Sequence, residues 1–445
     1  MKSVASLHAY PAQLAEVARA RWADLEKLAD PGPCTLRRGA LPEKAALHRL
    51  LSAAYQASLL REEDRPVRFR LFVGGPERVS PEAGPPEGLH ALRFSEPRPY
   101  NEQEIRRLAP AASYHRALIG VRSTGDDDFE IWGILQSGPR WMQSARGGRS
   151  VPSPVPSDVI VVRTGGPGLV AIWLGDVTLG ELRAGKLEGA PIDAFEAEWL
   201  ATRFAHMRGE LAADHERAMG GRGVPLDPLL MRKISQQMFK RVISILREAH
   251  HGATLVLVPE QRAAALLGDG GPLHLKYAFA DGPWRRRQGM LIRSIMRELA
   301  LAAAEMTPRP ERADWSIYQH SMRPGLAALD EAILEVSQLL AALGDVDGAV
   351  VLTDRFELLG FGAEIAGVLP EVTSVRRALD LEATAHQAVP IDSAGTRHRS
   401  AYRLCAQEKE ALAIVVSHDG AVQFVTWRDG APTYWEHLPA AGVTP

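Results

Sequence analysis

Residues 347–352 read Asp347-Gly348-Ala349-Val350-Val351-Leu352, and residues 395–401 read Gly395-Thr396-Arg397-His398-Arg399-Ser400-Ala401. The first stretch places an aspartate and a glycine at the mouth of an apolar run, where a ribose or a metal ion can approach the backbone closely. The second places two guanidinium groups and an imidazole just after a glycine. Arginine matches phosphate oxygens bidentately and stays charged at physiological pH, so this loop suits a nucleotide triphosphate.

Further apolar runs lie on both sides of this pair. Residues 253–258 read Ala-Thr-Leu-Val-Leu-Val, and residues 413–416 read Ala-Ile-Val-Val. Before the first run, Met238, Val242 and Leu246 recur at helical spacing, which predicts a helix. The pattern is typical of strands that alternate with helices.

The Asp-Gly-Ala motif at 347–349 and the Gly-Thr-Arg-His-Arg motif at 395–399 resemble the two hallmark motifs of the diadenylate cyclase (DAC) domain. Residues 251–260 are similar to the first strand of that domain, and residues 417–419 stand where the family has Ser-Glu-Glu. The resemblance covers roughly the C-terminal half, and three motifs in register are far more specific than a lone tripeptide. It implies an α/β fold with a mixed twisted sheet flanked by helices.

A diadenylate cyclase joins two ATP into cyclic di-AMP and releases pyrophosphate, a reaction that depends chiefly on positioning and charge stabilisation. The resemblance assigns catalysis to Asp347, Gly348 and Ala349. It assigns nucleotide binding to Gly395, Thr396, Arg397, His398, Arg399 and Ser417. It implies Mg²⁺ or Mn²⁺, or else Co²⁺, as the cofactor, with Asp347, His418 and Asp419 as candidate ligands.

Each protomer binds one ATP in this scheme, so two sites must meet face to face. The resemblance therefore implies a homodimer or a higher homo-oligomer.

The chain departs from the family pattern in three places. Val346 replaces the histidine that commonly precedes the motif aspartate, and Ser417-His418-Asp419 replaces Ser-Glu-Glu. The connections over residues 263–328 and 364–394 are longer than usual. Three functions stay open: an active diadenylate cyclase, a catalytically inactive nucleotide-binding sensor on a DAC scaffold, and a cyclase for a different cyclic dinucleotide.

Length, composition and charge limit the number of domains and the kinds of partner that we expect. The chain has 445 residues, 46% hydrophobic and 24% charged, with a formal net charge of -2. This length fits about two or three globular domains, and the charge makes nucleic acid an unexpected partner. Two cysteines, Cys34 and Cys405, offer no disulfide framework. With neither a signal peptide nor a run of roughly 20 apolar residues, we expect a cytoplasmic protein without a membrane partner.

The sequence pattern of the N-terminal half predicts a second module of the α/β or α+β class. Helices are expected over 11–28 and from Pro42 to Tyr55, and residues 65–73 alternate like a strand with one buried face. Short strands are predicted at 117–121, 129–135, 159–163 and 169–174.

Three segments of this half resemble the sensor domains called DACNV: Ser58–Arg70, residues 131–134 and residues 166–169. We therefore predict a sensor-like domain over 1–223, which responds to an unknown ligand or protein, and a cyclase-like domain over 224–445. The glycine-rich turn at 220–225 is the predicted boundary.

Overall fold

The computed structural model describes residues 8–27, 41–85, 88–125, 127–138, 148–149, 158–175, 177–183, 185–187, 192–249 and 251–437. The chain forms two compact units. Unit 1 comprises Met1–Ala145, Ser150–Ala190 and Ala440–Pro445, and unit 2 comprises Arg146–Arg149 and Pro191–Pro439. Both combine helices with mixed sheets, so the predicted α/β class is confirmed. Over the described part of the chain, no helix has the length and apolar content of a bilayer span.

Unit 1 contains helices α1 (Pro11–Lys27), α2 (Lys44–Ser58) and α3 (Glu102–Leu108). Its strands are β1 (Arg61–Glu62), β2 (Arg65–Pro66), β3 (Phe69–Val73), β4 (His90–Pro99), β5 (Ala117–Gly125), β6 (Asp128–Gln136), β7 (Ile160–Gly166), β8 (Leu169–Leu174), β9 (Val177–Arg183) and β10 (Lys186–Leu187). Strands β1 and β2 form a small ribbon, and the other eight form one sheet in the order β10-β9-β8-β7-β3-β5-β6-β4. The predicted strands after residue 116 are all present.

Strand β3 differs from the prediction of one buried and one exposed face. It lies at the centre of the sheet, parallel to β5 and antiparallel to β7. Leu71 packs in the core under the helices, while Phe72 packs in a second apolar cluster on the opposite face. Arg70 is therefore fully buried, and its Nη2 donates to the Ala117 carbonyl and the Ser137 hydroxyl, both at 3.1 Å.

Unit 2 contains helices α4 (Glu198–Arg203), α5 (Ala205–Met219), α6 (Pro228–Ala249), α7 (Glu260–Leu267), α8 (Arg287–Ala304), α9 (Trp315–His320), α10 (Pro324–Gly344) and α11 (Thr396–Gln407). Its strands are β11 (Ala253–Val258), β12 (Leu273–Ala278), β13 (Ala349–Thr353), β14 (Leu358–Ile365), β15 (Ser374–Ala378), β16 (His386–Pro390), β17 (Leu412–Val416), β18 (Val422–Arg428) and β19 (Ala431–Glu436). They form one sheet in the order β12-β14-β13-β11-β17-β18-β19-β15-β16.

The central strands of this sheet are covered on both faces. Leu255 and Leu257 of β11 belong to the core shared with α6, α8 and α10, whereas Val256 and Val258 belong to the core shared with α7 and α11. Successive side chains of a strand point to opposite faces. Every residue of β11 is buried as a result, which explains its continuous apolar sequence.

The register of three neighbouring strands creates the edge at which the motifs meet. Strand β11 runs parallel to β13, with Thr254 opposite Ala349, and antiparallel to β17, with Ala253 opposite Val416. The beginnings of β11 and β13 and the end of β17 therefore lie at one edge of the sheet. We call it the site edge.

The boundary between the units lies earlier than the predicted position at residues 223 and 224. Unit 2 begins at Pro191, because α4 and α5 bury Leu200, Met207 and Leu211 in the core of unit 2. The glycine-rich turn is internal to that unit, and the Val224 N–H donates to the Ala300 carbonyl at 3.0 Å. Glycine and proline residues that end a helix look the same in the sequence whether the domain ends there or only the helix does.

His437 makes the stability of unit 2 dependent on pH. Burial lowers the pKa of His437 from 6.5 to about 4, opposed by the nearby Asp193 carboxylate. Its Nδ1 accepts the Ala194 N–H at 3.2 Å, which requires an unprotonated Nδ1. Because the unfolded chain binds this proton more readily, the contribution is complete above pH 6.5 and is lost as pH falls towards 4. We expect unit 2 to lose about 2 kcal/mol between pH 7 and pH 5.

Urea unfolding at the two pH values measures this loss. In His437→Gln the loss should shrink by the share that His437 contributes. An unchanged pH dependence in that variant would assign the effect to other groups.

Candidate functional site

Asp347 lies in the turn between α10 and β13, at the site edge. Gly348 follows it with φ of +115°, a conformation that side chains other than glycine rarely adopt. A Cβ at Gly348 would lie 2.5 Å from the Gly362 carbonyl carbon in the adjacent strand β14. Glycine is therefore required for the close approach of two backbone segments, and Ala349 is buried as the first residue of β13.

The Gly-Thr-Arg-His-Arg motif begins a helix and is not the loop that the sequence suggested. Gly395 has an extended backbone before α11, and residues 396–399 form the first turn. The Arg399 N–H donates to the Gly395 carbonyl at 3.1 Å. No side chain caps the preceding N–H groups, so they remain available at the positive end of the helix. The motif combines free N–H groups with cationic side chains.

The two motifs meet at the site edge. Arg397 Nη2 lies 4.0 Å from Asp347 Oδ1, and the Asp347 side chain is 93% exposed. The other guanidinium nitrogen, Nη1, lies 2.8 Å from the position that a Cβ on Gly252 would occupy. Gly252 precedes β11, so Arg397 extends over the start of that strand towards Asp347. A side chain at residue 252 would displace it.

His398 and Asp419 lie close to each other beside this pair. Burial lowers the pKa of His398 below its usual value, an effect opposed by the Asp419 carboxylate and reinforced by Arg397. The imidazole is therefore mainly neutral near pH 7. Ser417 follows β17, and its hydroxyl donates to Asp419, which also accepts the Ala421 N–H at 3.2 Å.

The remaining predicted site residues include Thr396, His418 and Arg399. Thr396 and His418 are exposed, and Arg399 is half-buried without an ion pair to any described residue. Within the described ranges, no three His, Cys, Asp or Glu side chains gather as a metal site. The predicted ligands Asp347, His418 and Asp419 thus form no ready-made cluster.

An aromatic surface beside Asp347 was not predicted. Tyr277 of β12 stacks on Phe361 of β14, with ring centroids 4.7 Å apart and planes at 17°. Tyr277 is 55% exposed. A Cβ at Gly362 would lie 3.3 Å from Tyr277 Cδ2 and 3.6 Å from the Asp347 carbonyl, which places the rings next to the motif. Tyr277 belongs to the region interpreted as an insertion, although β12 pairs with β14 as a strand of the sheet.

A small apolar gap lies elsewhere in unit 2. It measures about 30 Å³ and contacts Phe204, Phe239 and Phe356, with Leu257 and Leu412 at the ends of β11 and β17 away from the site edge. A volume of this size holds about one or two waters and no nucleotide. We regard it as a packing gap.

Comparison with known proteins identifies part of unit 1. Residues 37–136 match the family model described as "Probable sensor domain DACNV". The match includes two of the segments on which the sensor resemblance was based, Ser58–Arg70 and residues 131–134. The third, residues 166–169, lies outside it. No curated protein matches the chain.

Proposed function

We propose that unit 2 is a diadenylate cyclase, which condenses two ATP into cyclic di-AMP, and that the DACNV-like part of unit 1 regulates it. The observation that carries this proposal is the meeting of Asp347 and Arg397 at one sheet edge. Although Asp347 and Arg397 are distant in sequence, they place a carboxylate and a guanidinium 4.0 Å apart at an exposed edge.

The first turn of α11 would hold the phosphates. Arg397 and Arg399 supply guanidinium forks, and the uncapped N–H groups add donors at the helix end. His398 is mainly neutral and can donate one hydrogen bond without adding a charge. This group of donors fits a triphosphate better than a monocarboxylate.

The base and the sugar would lie towards Tyr277 and Phe361. A purine has a flat π-face, and stacking on an aromatic ring contributes about 1–3 kcal/mol. Asp347 lies next to these rings and would orient the 3'-hydroxyl and accept its proton. The 3'-oxygen then forms a bond to the α-phosphorus of the second ATP, and the bond from that phosphorus to the pyrophosphate oxygen breaks.

Asp347 is almost fully exposed, so its carboxylate can face a second nucleotide held by another copy of the chain. The reaction needs two such encounters, one for each phosphodiester bond. A symmetric pair of protomers meets this need because each site then supplies one hydroxyl and one triphosphate.

A divalent cation would be held by Asp347 together with phosphate oxygens of the substrate. Mg²⁺ sites of this kind commonly use one or two carboxylates plus phosphates. The exposed carboxylate of Asp347 fits that pattern better than it fits an all-protein cage. The cation would neutralise charge that develops on the phosphates.

A catalytically inactive nucleotide sensor is the second candidate. Val346 is 37% exposed and offers no side-chain metal ligand, and His418 is exposed. Such a protein would bind ATP through α11 without turnover. A cyclase for a different nucleotide pair is a third outcome, since no described residue of the site selects adenine.

Incubation of the purified chain with ATP and Mg²⁺, Mn²⁺ or Co²⁺ tests these functions, with chromatography for cyclic dinucleotide and pyrophosphate. Formation of cyclic di-AMP with two pyrophosphates supports the cyclase. ATP binding with no product supports the sensor. Product from other nucleotides but not from ATP alone supports the third function, and absence of both binding and product contradicts all three.

Arg397→Ala is expected to weaken ATP binding about 10-fold to 100-fold, because one charge-assisted contact is worth about 1.5–3 kcal/mol. Isothermal titration calorimetry measures this change. Arg403→Ala is the matched control, since Arg403 is exposed on the same helix two turns further along. Equal weakening by both variants would show that the effect is general charge attraction and not a contact at the site.

A further inference from the structure

A stripe of three arginines and one methionine follows the exposed side of helix α8 and begins at Arg286, the residue just before the helix. Arg286, Met290, Arg293 and Arg297 follow one another at spacings of four, three and four, which places them on one face. All four are exposed. The opposite face packs into the core through residues such as Leu291, Ile295 and Leu299. The stripe spans about 16 Å along the helix.

The positive charge of this stripe is only partly neutralised. Glu357 is nearly buried and is shared by Arg285, at 2.9 Å, and Arg286, at 3.5 Å. Arg293 and Arg297 form no ion pair with any residue that the structure describes. Because unpaired guanidinium groups at this spacing attract anions, the surface favours a ligand with more than one negative group.

The stripe borders an open groove of about 520 Å³. The groove is lined by Asp281, Gly282, Pro283, Arg286, Met290 and Arg293. Its size is within the range of small-molecule sites, about 300–1,000 Å³. Asp281 is the one acidic residue of the lining, and it lies 3.8 Å from Arg285 Nη1.

An aromatic side chain stands beside the groove. Trp284 is 72% exposed. A Cβ at Gly282 would lie 2.7 Å from the indole Nε1, so the ring rests on a glycine of the groove lining. Gly282 has φ of +147°, which also favours glycine there. An exposed indole offers a stacking surface to a planar base.

We propose that this groove is a second nucleotide site, in which Arg286 and Arg293 hold phosphate groups and Trp284 stacks on the base. The ligand class is a nucleoside phosphate with at least two negative charges. Free ATP and a cyclic dinucleotide share this chemistry, and either would act as an effector bound apart from Asp347 and Arg397. The inference does not require that unit 2 be catalytic.

Equilibrium dialysis of the full chain with radiolabelled ATP, and separately with cyclic di-AMP, tests the proposal at low salt. On the Arg397→Ala background, which weakens the first site, one ligand per chain should remain bound. Adding Arg293→Glu should weaken that remaining binding at least about 10-fold. Whichever ligand loses more affinity is the effector of the groove.

Substitutions of Trp284 test the proposed stacking on the base independently of the phosphate contacts. Trp284→Ala should weaken binding of ATP but not of inorganic triphosphate, which has no base to stack. Trp284→Phe should retain most of the affinity for ATP. Both substitutions are at an exposed side chain, and circular dichroism checks that the variants fold.

Arg312→Glu is the control for general charge effects, because Arg312 is exposed in the same unit away from the groove lining. The proposal is overturned if this control weakens binding as much as the groove variants do. It is also overturned if the groove variants bind both nucleotides like their parent. Tighter binding of single-stranded oligonucleotide than of ATP, lost in Arg293→Glu, would replace it with a nucleic-acid surface.

Discussion

Asp347→Asn is expected to lower cyclic di-AMP synthesis at least about 100-fold, because an amide cannot accept the proton that a carboxylate general base takes. ATP binding measured without a divalent cation should change little, since the proposed phosphate contacts come from α11. Stability should also be unaffected, because the Asp347 side chain is 93% exposed. Initial rates at saturating ATP and a separate binding isotherm measure the two effects.

Asp345→Asn is the matched control for this prediction. Asp345 lies two residues earlier and is half exposed, with its carboxylate 3.8 Å from His251 Nδ1. The control should retain most of the activity. Equal loss in both variants, or a parallel loss of ATP affinity in Asp347→Asn, would argue against Asp347 as the base.

Asp330→Ala is expected to destabilise unit 2 by about 3–5 kcal/mol, because it leaves a buried guanidinium uncompensated. Arg241 of α6 is fully buried. It donates from Nη2 to the Asp330 carboxylate and from Nη1 to the Asp330 carbonyl, both at 2.7 Å. Gln237 donates to the same carboxylate at 2.7 Å. One substitution therefore removes the acceptor of two donors between α6 and α10.

Hydrogen exchange of α6 amides under native conditions measures this loss within unit 2. Glu331→Ala, at the exposed neighbouring residue, should change stability by less than about 0.5 kcal/mol. The double variant Arg241→Met with Asp330→Leu should recover much of the stability, since apolar replacement of a buried pair is often neutral. If Asp330→Ala lowers the free energy of unfolding by less than about 1 kcal/mol, the Arg241 guanidinium must be hydrated by water in the variant.

Local patterns explain which elements were predictable. The helix Arg287–Ala304 has a signal of this kind, because its apolar residues repeat at the helical period over consecutive turns. The apolar runs at 253–258 and 349–353 are strands for the same kind of reason. The chemistry of the two motifs could also be read directly, since arginine and aspartate carry their charges in any fold.

Other features could not be predicted, because they depend on contacts between residues that are distant in the sequence. Arg70 looks exposed in an alternating strand, yet the sheet of unit 1 is covered on both faces and buries it. The Gly-Thr-Arg-His-Arg motif begins a helix, although glycine and threonine suggested a loop. The sequence did not indicate Tyr277 as a site residue, because its position beside Asp347 follows from the pairing of β12 with β14.

The sequence by itself determined the α/β class, the charged groups that could hold a phosphate and the sensor-like segment near the N-terminus. These properties are local, since each follows from neighbouring residues and their spacing. Only the tertiary structure decided that Asp347 and Arg397 lie 4.0 Å apart, that Gly348 must be glycine, and that arginines of α8 border a groove. Such facts depend on strand register and helix packing, in which residues far apart in the chain share one edge or one surface.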